Sequence, residues 1–173
     1  MAGSGSRKRL QWLIASLVVV VGVIVALQLL FPLRLYSIHS GAMEPTIRIG
    51  GTVVVNHLAY WRRPVQFQDM VLIRNKAVGQ RSMVKRIVGL PGDRLRVHAG
   101  KLWRNGQVVD EKYLKEPMAY EWPKKGELTV PAGRVGCLGD NRNDSNDSHI
   151  WQDPFLPVSE ILGKVVRVSN PGG

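Results

Sequence analysis

Ser82-Met83-Val84-Lys85-Arg86-Ile87-Val88, closed by Gly89-Leu90-Pro91-Gly92-Asp93, is an extended run followed by a turn, and it sets the pattern for most of the chain. The run has strand length and is rich in apolar and β-branched side chains. Pro91 and Gly92 supply the backbone angles that a tight turn requires. Similar runs lie on both sides: Thr52 to Val55, Met70 to Ile73, Arg94 to Val97, Lys101 to Val109, Leu128 to Val130, Val135 to Leu138 and Ile161 to Val168. Asn105-Gly106, inside the fourth of these, is a type I′ hairpin signal. No helical periodicity of useful length follows Leu35, so the fold is predicted to be mainly β, with antiparallel pairing. Residues 111 to 129 are polar and contain proline, and read as a loop or small flap. The run Gly139 to Ser148 is too rich in turn formers for buried strand or helix.

Upstream, Arg7, Lys8 and Arg9 precede Trp12 to Phe31, 20 residues without a charge. At about 1.5 Å per residue such a helix is about 30 Å long, the thickness of a bilayer's hydrocarbon core. Basic residues before the span predict a cytoplasmic N-terminus. Phe31-Pro32-Leu33-Arg34-Leu35 offers no small-x-small cleavage pattern, so the segment reads as a retained signal anchor. The expected organisation is a cytoplasmic segment at 1–11, a transmembrane anchor at 12–33 and an extracytoplasmic β-rich domain at 34–173. In the loop Tyr60-Trp61-Arg62-Arg63-Pro64, the aromatics either dip into the interface or tuck under the sheet.

Lys and Arg number 24 against 13 Asp and Glu, a net charge of +11. That balance favours membrane phospholipids as neighbours. No basic strand carries the interleaved aromatics of a nucleic-acid surface, which argues against a nucleic-acid partner. Cys137 is the one cysteine, and the four histidines lack the short spacing of a zinc site. With no Gly-rich strand-to-helix turn either, no metal and no cofactor is expected.

Two stretches could carry chemistry. In His39-Ser40-Gly41-Ala42-Met43-Glu44-Pro45-Thr46-Ile47, Pro45 biases Glu44 away from helix, toward strand or turn. If the segment is extended, Ser40 and residue 42 share a face. Lys85 alternates with Val84 and Arg86; burial of its face would penalise the ammonium and turn the amine into a general base. Such a base needs a hydroxyl nucleophile within reach.

Three blocks resemble the type I signal peptidases, membrane-anchored serine proteases with a Ser-Lys dyad: Ser40-Gly41-Ala42-Met43-Glu44-Pro45-Thr46; Lys85-Arg86-Ile87-Val88-Gly89-Leu90-Pro91-Gly92-Asp93; and Gly139-Asp140-Asn141 with Ser145-x-Asp147-Ser148. They follow one span in the family's order, and the likeness extends to Gly163-Lys164. The resemblance implies a β-sheet peptidase that removes N-terminal signal peptides from preproteins after Ala-x-Ala-like sites. It implies Lys85 as general base, Ser40 with the residue-42 N–H as oxyanion hole, Ser145 orienting Lys85, and Asp147 supporting that loop. Ile38, Ile47, Met83 and Val84 would line the groove for the substrate, which would add as a strand beside residues 82 to 84.

The departures are specific. Position 42, the family's serine nucleophile, is Ala42, so this chain is expected to be inactive. Gly51 replaces a common Asp, Gln68 a common Gly, and His149 a common Arg, the last weakening an expected ion pair with Asp147. Ala42 is consistent with a substitution that silences cleavage, with a pseudo-peptidase that only binds signal peptides, or with Ser40 taking over, which the spacing disfavours. A specialised pilin-maturing peptidase is a further alternative.

Overall fold

The computed structural model describes residues 4–30, 32–79 and 82–172. Residues 1–3 of the predicted cytoplasmic segment, Phe31 at the end of the predicted span and Gly173 lie outside them. Two units meet between Pro32 and Leu33.

The first unit is a helix, α1, Ser4–Leu30. It contains a stretch, Lys8–Leu27, of mean hydropathy 2.6 and 20 residues, long and apolar enough to cross a membrane. Its apolar residues are distributed all round the helix, as in a span and unlike an amphipathic surface helix.

The described residues of the second unit form eleven strands: β1 Leu33–Ser37, β2 Thr52–Asn56, β3 Met70–Arg74, β4 Ser82–Gly89, β5 Arg94–His98, β6 Lys101–Arg104, β7 Gln107–Val108, β8 Leu128–Thr129, β9 Arg134–Leu138, β10 Leu156–Pro157 and β11 Ile161–Ser169. They form a seven-stranded sheet, ordered β1-β2-β11-β3-β4-β9-β10, and a four-stranded sheet, ordered β7-β6-β5-β8. Every pairing is antiparallel. The mainly β expectation holds, and each predicted run contains a strand.

Turn chemistry explains the connections. Gly92 at φ 86° closes the turn after β4, with the Asp93 N–H donating to the Leu90 carbonyl at 2.9 Å. Asn105 and Gly106, at φ 55° and 78°, make the predicted two-residue hairpin between β6 and β7. The Asp93 carboxylate then ties the first turn to this hairpin, accepting from Arg104 Nε at 2.6 Å and Asn105 Nδ2 at 2.7 Å. Burial pushes its pKa up, but these donors and the Leu90 N–H outweigh that and hold it below the usual carboxylate range.

Three apolar clusters fill the unit. Leu95, Leu102, Trp122 and Phe155 centre one against the small sheet. Ile73, Ile87, Cys137 and Trp151 centre a second. Met43, Ile47, Val53, Val55 and Val84 form the third, around the nucleophile-position segment. Tyr60 tucks inward, its hydroxyl donating to Asp69 at 2.9 Å, while Trp61 stays 68% exposed. Gly51 is crowded by the Arg48 and Ser169 carbonyls, 2.9 and 3.0 Å from where a Cβ would stand, which favours glycine here.

Gln68 is the local misfit. Its φ is 67°, the left-handed region where a side chain costs about 1–2 kcal/mol, and the resemblance places Gly there. Its backbone is fixed by a 2.8 Å bond from its N–H to the Ile87 carbonyl. Gln68→Gly should therefore raise the unfolding free energy by about 0.5–1 kcal/mol, read as a higher urea midpoint in micelles.

Candidate active site

Lys85 lies mid-strand on β4 and is 1% exposed. Simple alternation does not describe its surroundings, because every residue from Val84 to Gly89 is buried. Both faces of the strand are covered, so Arg86 is buried as well as Lys85. The Lys85 amine donates to Ser145 Oγ at 2.5 Å. Burial lowers its pKa below the ordinary lysine range, against the opposing pull of Asp147, Cys137 and Asp140. A desolvated amine of this kind is closer to a base than to a fixed cation.

Asp147 is fully buried behind it. Its Oδ2 accepts from the Gly139 N–H at 2.8 Å, and its Oδ1 lies 2.7 Å from His149 Nδ1. Burial would raise its pKa; the His149 bond, the Lys85 charge, Ser145 and the Gly139 N–H together bring it below the usual range. The imidazole of His149 thus reaches the carboxylate at the place where the resemblance has an arginine. His149 is also stacked on Tyr120, with centroids 4.1 Å apart and ring planes 11° from parallel.

The segment bearing Ala42 is not extended. Gly41–Met43 is a single 3-10 turn, closed by the Glu44 N–H donating to the Gly41 carbonyl at 3.0 Å. The chain must reverse between β1 and β2, and this turn starts the reversal, so Ser40 and residue 42 are placed by a turn and not by strand alternation. Ser40 itself is extended (φ −131°, ψ 149°), caps the turn without a side-chain hydrogen bond and is exposed. Glu44, before Pro45, is extended as expected, at φ −65° and ψ 144°. The turn packs against β4. The Ala42 carbonyl accepts from the Asn141 N–H at 3.1 Å. A methyl group on Gly139 would collide with both the Ala42 carbonyl and the Ser145 side chain, so Gly139 sits between the two.

The loop 139–148 is neither strand nor helix, as its turn formers predict, yet much of it is buried. Asp140, Asn141, Arg142, Ser145, Asp147 and Ser148 are all buried. Asp140 accepts from Arg86 Nε at 2.7 Å and Nη2 at 2.6 Å, and from Thr46 Oγ1 at 2.6 Å. Arg142 makes a two-pronged ion pair with Glu111 at 2.6 and 2.9 Å. Glu111 and Arg142 were not among the expected site residues. A lone Arg in a polar loop and a Glu 31 positions earlier carry no spacing signal.

Of the expected wall residues, Ile38 is half-buried, Val84 is buried and Ile47 is fully buried, all in one cluster. Ile47 thus supports the wall from within. Met83 is half-buried against a different cluster. Ladder partners occupy the second edge of β4 only at Arg86, Ile87 and Gly89, opposite β9. Among the described residues, that edge is without a strand from Ser82 to Lys85. No group of three or more His, Cys, Asp or Glu side chains there is disposed to hold a metal.

A buried lysine hydrogen-bonded to a serine, with the Gly41–Met43 turn packed on its strand, is the arrangement expected of a serine–lysine hydrolase. The family model for signal peptidase, peptidase S26, matches residues 9–169. The protein "Probable signal peptidase I-2" of Synechocystis is 36% identical over 159 residues, covering 88% of this chain and 71% of that one. Signal peptidase I of Pseudomonas aeruginosa is 33% identical over 168 residues, covering 75% of this chain and 59% of its own length. The crystal structure of a signal peptidase I from Enterococcus faecalis superposes with a TM-score of 0.52 at 26% identity, covering 60% of this chain and 97% of that one. The chain belongs to the signal peptidase, peptidase S26 family.

Because Asp140 is the shared acceptor of a buried ion pair, its loss should be severe. Asp140→Ala should cost about 3–5 kcal/mol, the range for stranding a buried partner, whereas Thr46→Val, which removes one bond to that carboxylate, should cost about 1.5–3 kcal/mol. Urea unfolding of both variants in micelles, followed by near-ultraviolet circular dichroism, measures the difference.

Proposed function

We propose that this chain is a membrane-anchored serine endopeptidase scaffold that takes the signal peptides of translocated preproteins as an added strand on β4. It would cut them after Ala-x-Ala-like sites when residue 42 is serine. The N-terminus is cytoplasmic and the β unit extracytoplasmic, at the cell membrane. The observation that carries this reading is the buried Lys85–Ser145 hydrogen bond beside the unpaired edge of β4.

An extended peptide placed on Ser82 to Val84 receives main-chain hydrogen bonds that the sheet leaves unmade there. Ile38 and Val84, with Ile47 behind them and Met83 beside them, offer small apolar walls. Alanine at the two anchoring positions gains burial there, while a larger side chain has no space. With serine at residue 42, its Oγ attacks the scissile carbonyl while Lys85 Nζ takes the hydroxyl proton. The tetrahedral oxyanion lies against the residue-42 N–H and the Ser40 hydroxyl, donors of which one alone is worth about 3–4 kcal/mol. The Lys85 ammonium returns its proton to the departing amine, leaving an acyl-enzyme. Lys85 then takes a proton from water, the resulting hydroxide attacks the ester, and collapse releases the signal peptide and restores the serine. Ser145 Oγ accepts from the Lys85 amine and so orients it, leaving the lone pair for the incoming proton, and Asp147 braces the loop.

Ala42 favours a second reading in which this chain binds signal peptides without cutting them. It removes one oxygen and no other part of the arrangement.

Incubating a preprotein bearing an Ala-x-Ala site with the full chain in lipid vesicles separates the two. Ala42→Ser should cut about a millionfold faster than Ala42, the usual measure of a lost nucleophile, and adding Lys85→Ala should abolish cutting. If neither chain cuts while the peptide binds, the enzymatic reading fails. The rate of Ala42→Ser should also rise with pH, because the unprotonated amine is the active form. Since burial lowers the Lys85 pKa, activity is full below the ordinary lysine range and is lost as pH falls through the depressed value. A kcat/KM profile reaching its plateau only in the ordinary lysine range would contradict a desolvated base.

A further inference from the structure

The segment Glu111 to Tyr120, read from the sequence as a loop or flap, touches both halves of the candidate site. Glu111 pairs with Arg142; Met118 Sδ accepts from Arg142 Nη1 at 3.4 Å. The Ala119 N–H donates to Asn143 Oδ1 at 2.7 Å, and Asn143 Nδ2 donates to Glu116 at 2.9 Å and to the Pro117 carbonyl at 3.0 Å. Tyr120 stacks on His149. On the other side, Lys115 reaches Glu44, next to the turn that carries Ala42, at 3.5 Å. The Tyr113 ring lies under the Arg86 guanidinium at 3.9 Å, and its hydroxyl donates to Glu111 at 2.7 Å.

The ion pair is the strongest of these contacts, because it is buried: 0% of the Arg142 side chain and 3% of the Glu111 side chain are exposed. A two-pronged guanidinium–carboxylate pair fixes orientation as well as distance. Arg142 uses its remaining Nε to donate to the Gly139 carbonyl at 2.9 Å. Gly139 is the residue wedged between the Ala42 carbonyl and Ser145, and its N–H holds Asp147. Glu111 is therefore connected to the site through Arg142 and Gly139.

We propose that Glu111 is a positioning residue for the serine–lysine site: locked to Arg142, it sets the place of Gly139 and hence the approach of Ser145 to Lys85. This rests on the reading of Lys85 as general base. Loss of the lock lets the loop 139–148 relax and admits water beside the amine. Lys85 then loses both its alignment and its desolvation, while the β4 edge that binds the peptide backbone is untouched. The effect is on kcat, not KM.

The test uses the full chain in detergent micelles, with 15N- and 13C-labelled lysine side chains and the Lys85 resonance assigned by Lys85→Arg. In the parent chain Lys85 should titrate well below the other lysines. In Glu111→Gln and, separately, in Arg142→Lys, which keeps the charge but loses the fork, its midpoint should rise toward theirs. Lys112→Ala, at an exposed neighbouring pair, should leave it in place. In the Ala42→Ser background, the two lock variants should lower kcat between tenfold and about a hundredfold, the scale of an ångström misplacement, with KM changed less than about threefold. Glu111→Asp, which retains the charge, should recover part of the loss. A depressed Lys85 midpoint that stays unmoved in both lock variants, with only their melting temperature lowered, would show that the pair is structural and overturn the proposal. A Lys85 that titrates with the ordinary lysines in the parent overturns the serine–lysine reading itself, a different result from the first.

Discussion

One carboxylate joins the parts of the chain that matter chemically. Asp140 accepts from Thr46, four residues after the nucleophile position, from Arg86, next to the candidate base, and itself begins the loop that brings Ser145 and Asp147 into place. Those three stretches are separated by about forty to a hundred residues of β structure, and in the unfolded chain nothing holds them together. A buried acceptor satisfied from two of them at once is costly to leave half-made. The interaction therefore gives registry more than stability, since apolar groups of the same shape could fill the volume but would not fix three segments to one point.

That registry matters because the site buries an amine whose charged form burial disfavours. Lys85 sits among neighbours of both kinds: burial that favours the neutral form, and the carboxylates Asp147 and Asp140, which favour the charged one. Burial wins only while the loop stays closed over the strand. His149, Gly139 and Ser145 all engage Asp147, spreading its charge over several donors and limiting how strongly it restores a proton to Lys85. The sheet, the loop and the strap at Glu111 to Tyr120 are thus parts of a single arrangement that excludes solvent.

Much of the fold was legible because strands and turns declare themselves locally. Thr52 to Val55 and Ser82 to Val88 were bounded within a residue, and Asn105-Gly106 named its own hairpin. The order of strands, with β11 inserted between β2 and β3, has no local signature and was not legible. The candidate site was legible as three separate motifs, and the fold brings Lys85 of one and Ser145 of another into hydrogen bond. The burial of Asp140, Asn141, Arg142, Ser145, Asp147 and Ser148 was not. A polar run normally stays in water, and these residues are buried because donors and acceptors among them meet partners far away in sequence, Glu111 and Arg86 among them. At Gly41–Met43 strand and turn both stayed open: a pattern of alternate small residues suits either equally, and the reversal into β2 decides for the turn.

Among the described residues, strand β4 is covered by β9 along one half and has no partner on that edge along the other, from Ser82 to Lys85. Such an edge selects by shape before it selects by side chain: a helical segment keeps its amides for itself and has none to give, while any unwound stretch can satisfy the edge. With a peptide added on this edge as proposed, the arrangement would work as a conformational filter, sensitive to where the bound chain loses its helix. The same property makes the edge a hazard, because an extended segment from a second copy would satisfy it equally well. Confining each copy to a membrane, with little freedom to tumble, is one physical way to keep that edge available for its intended occupant.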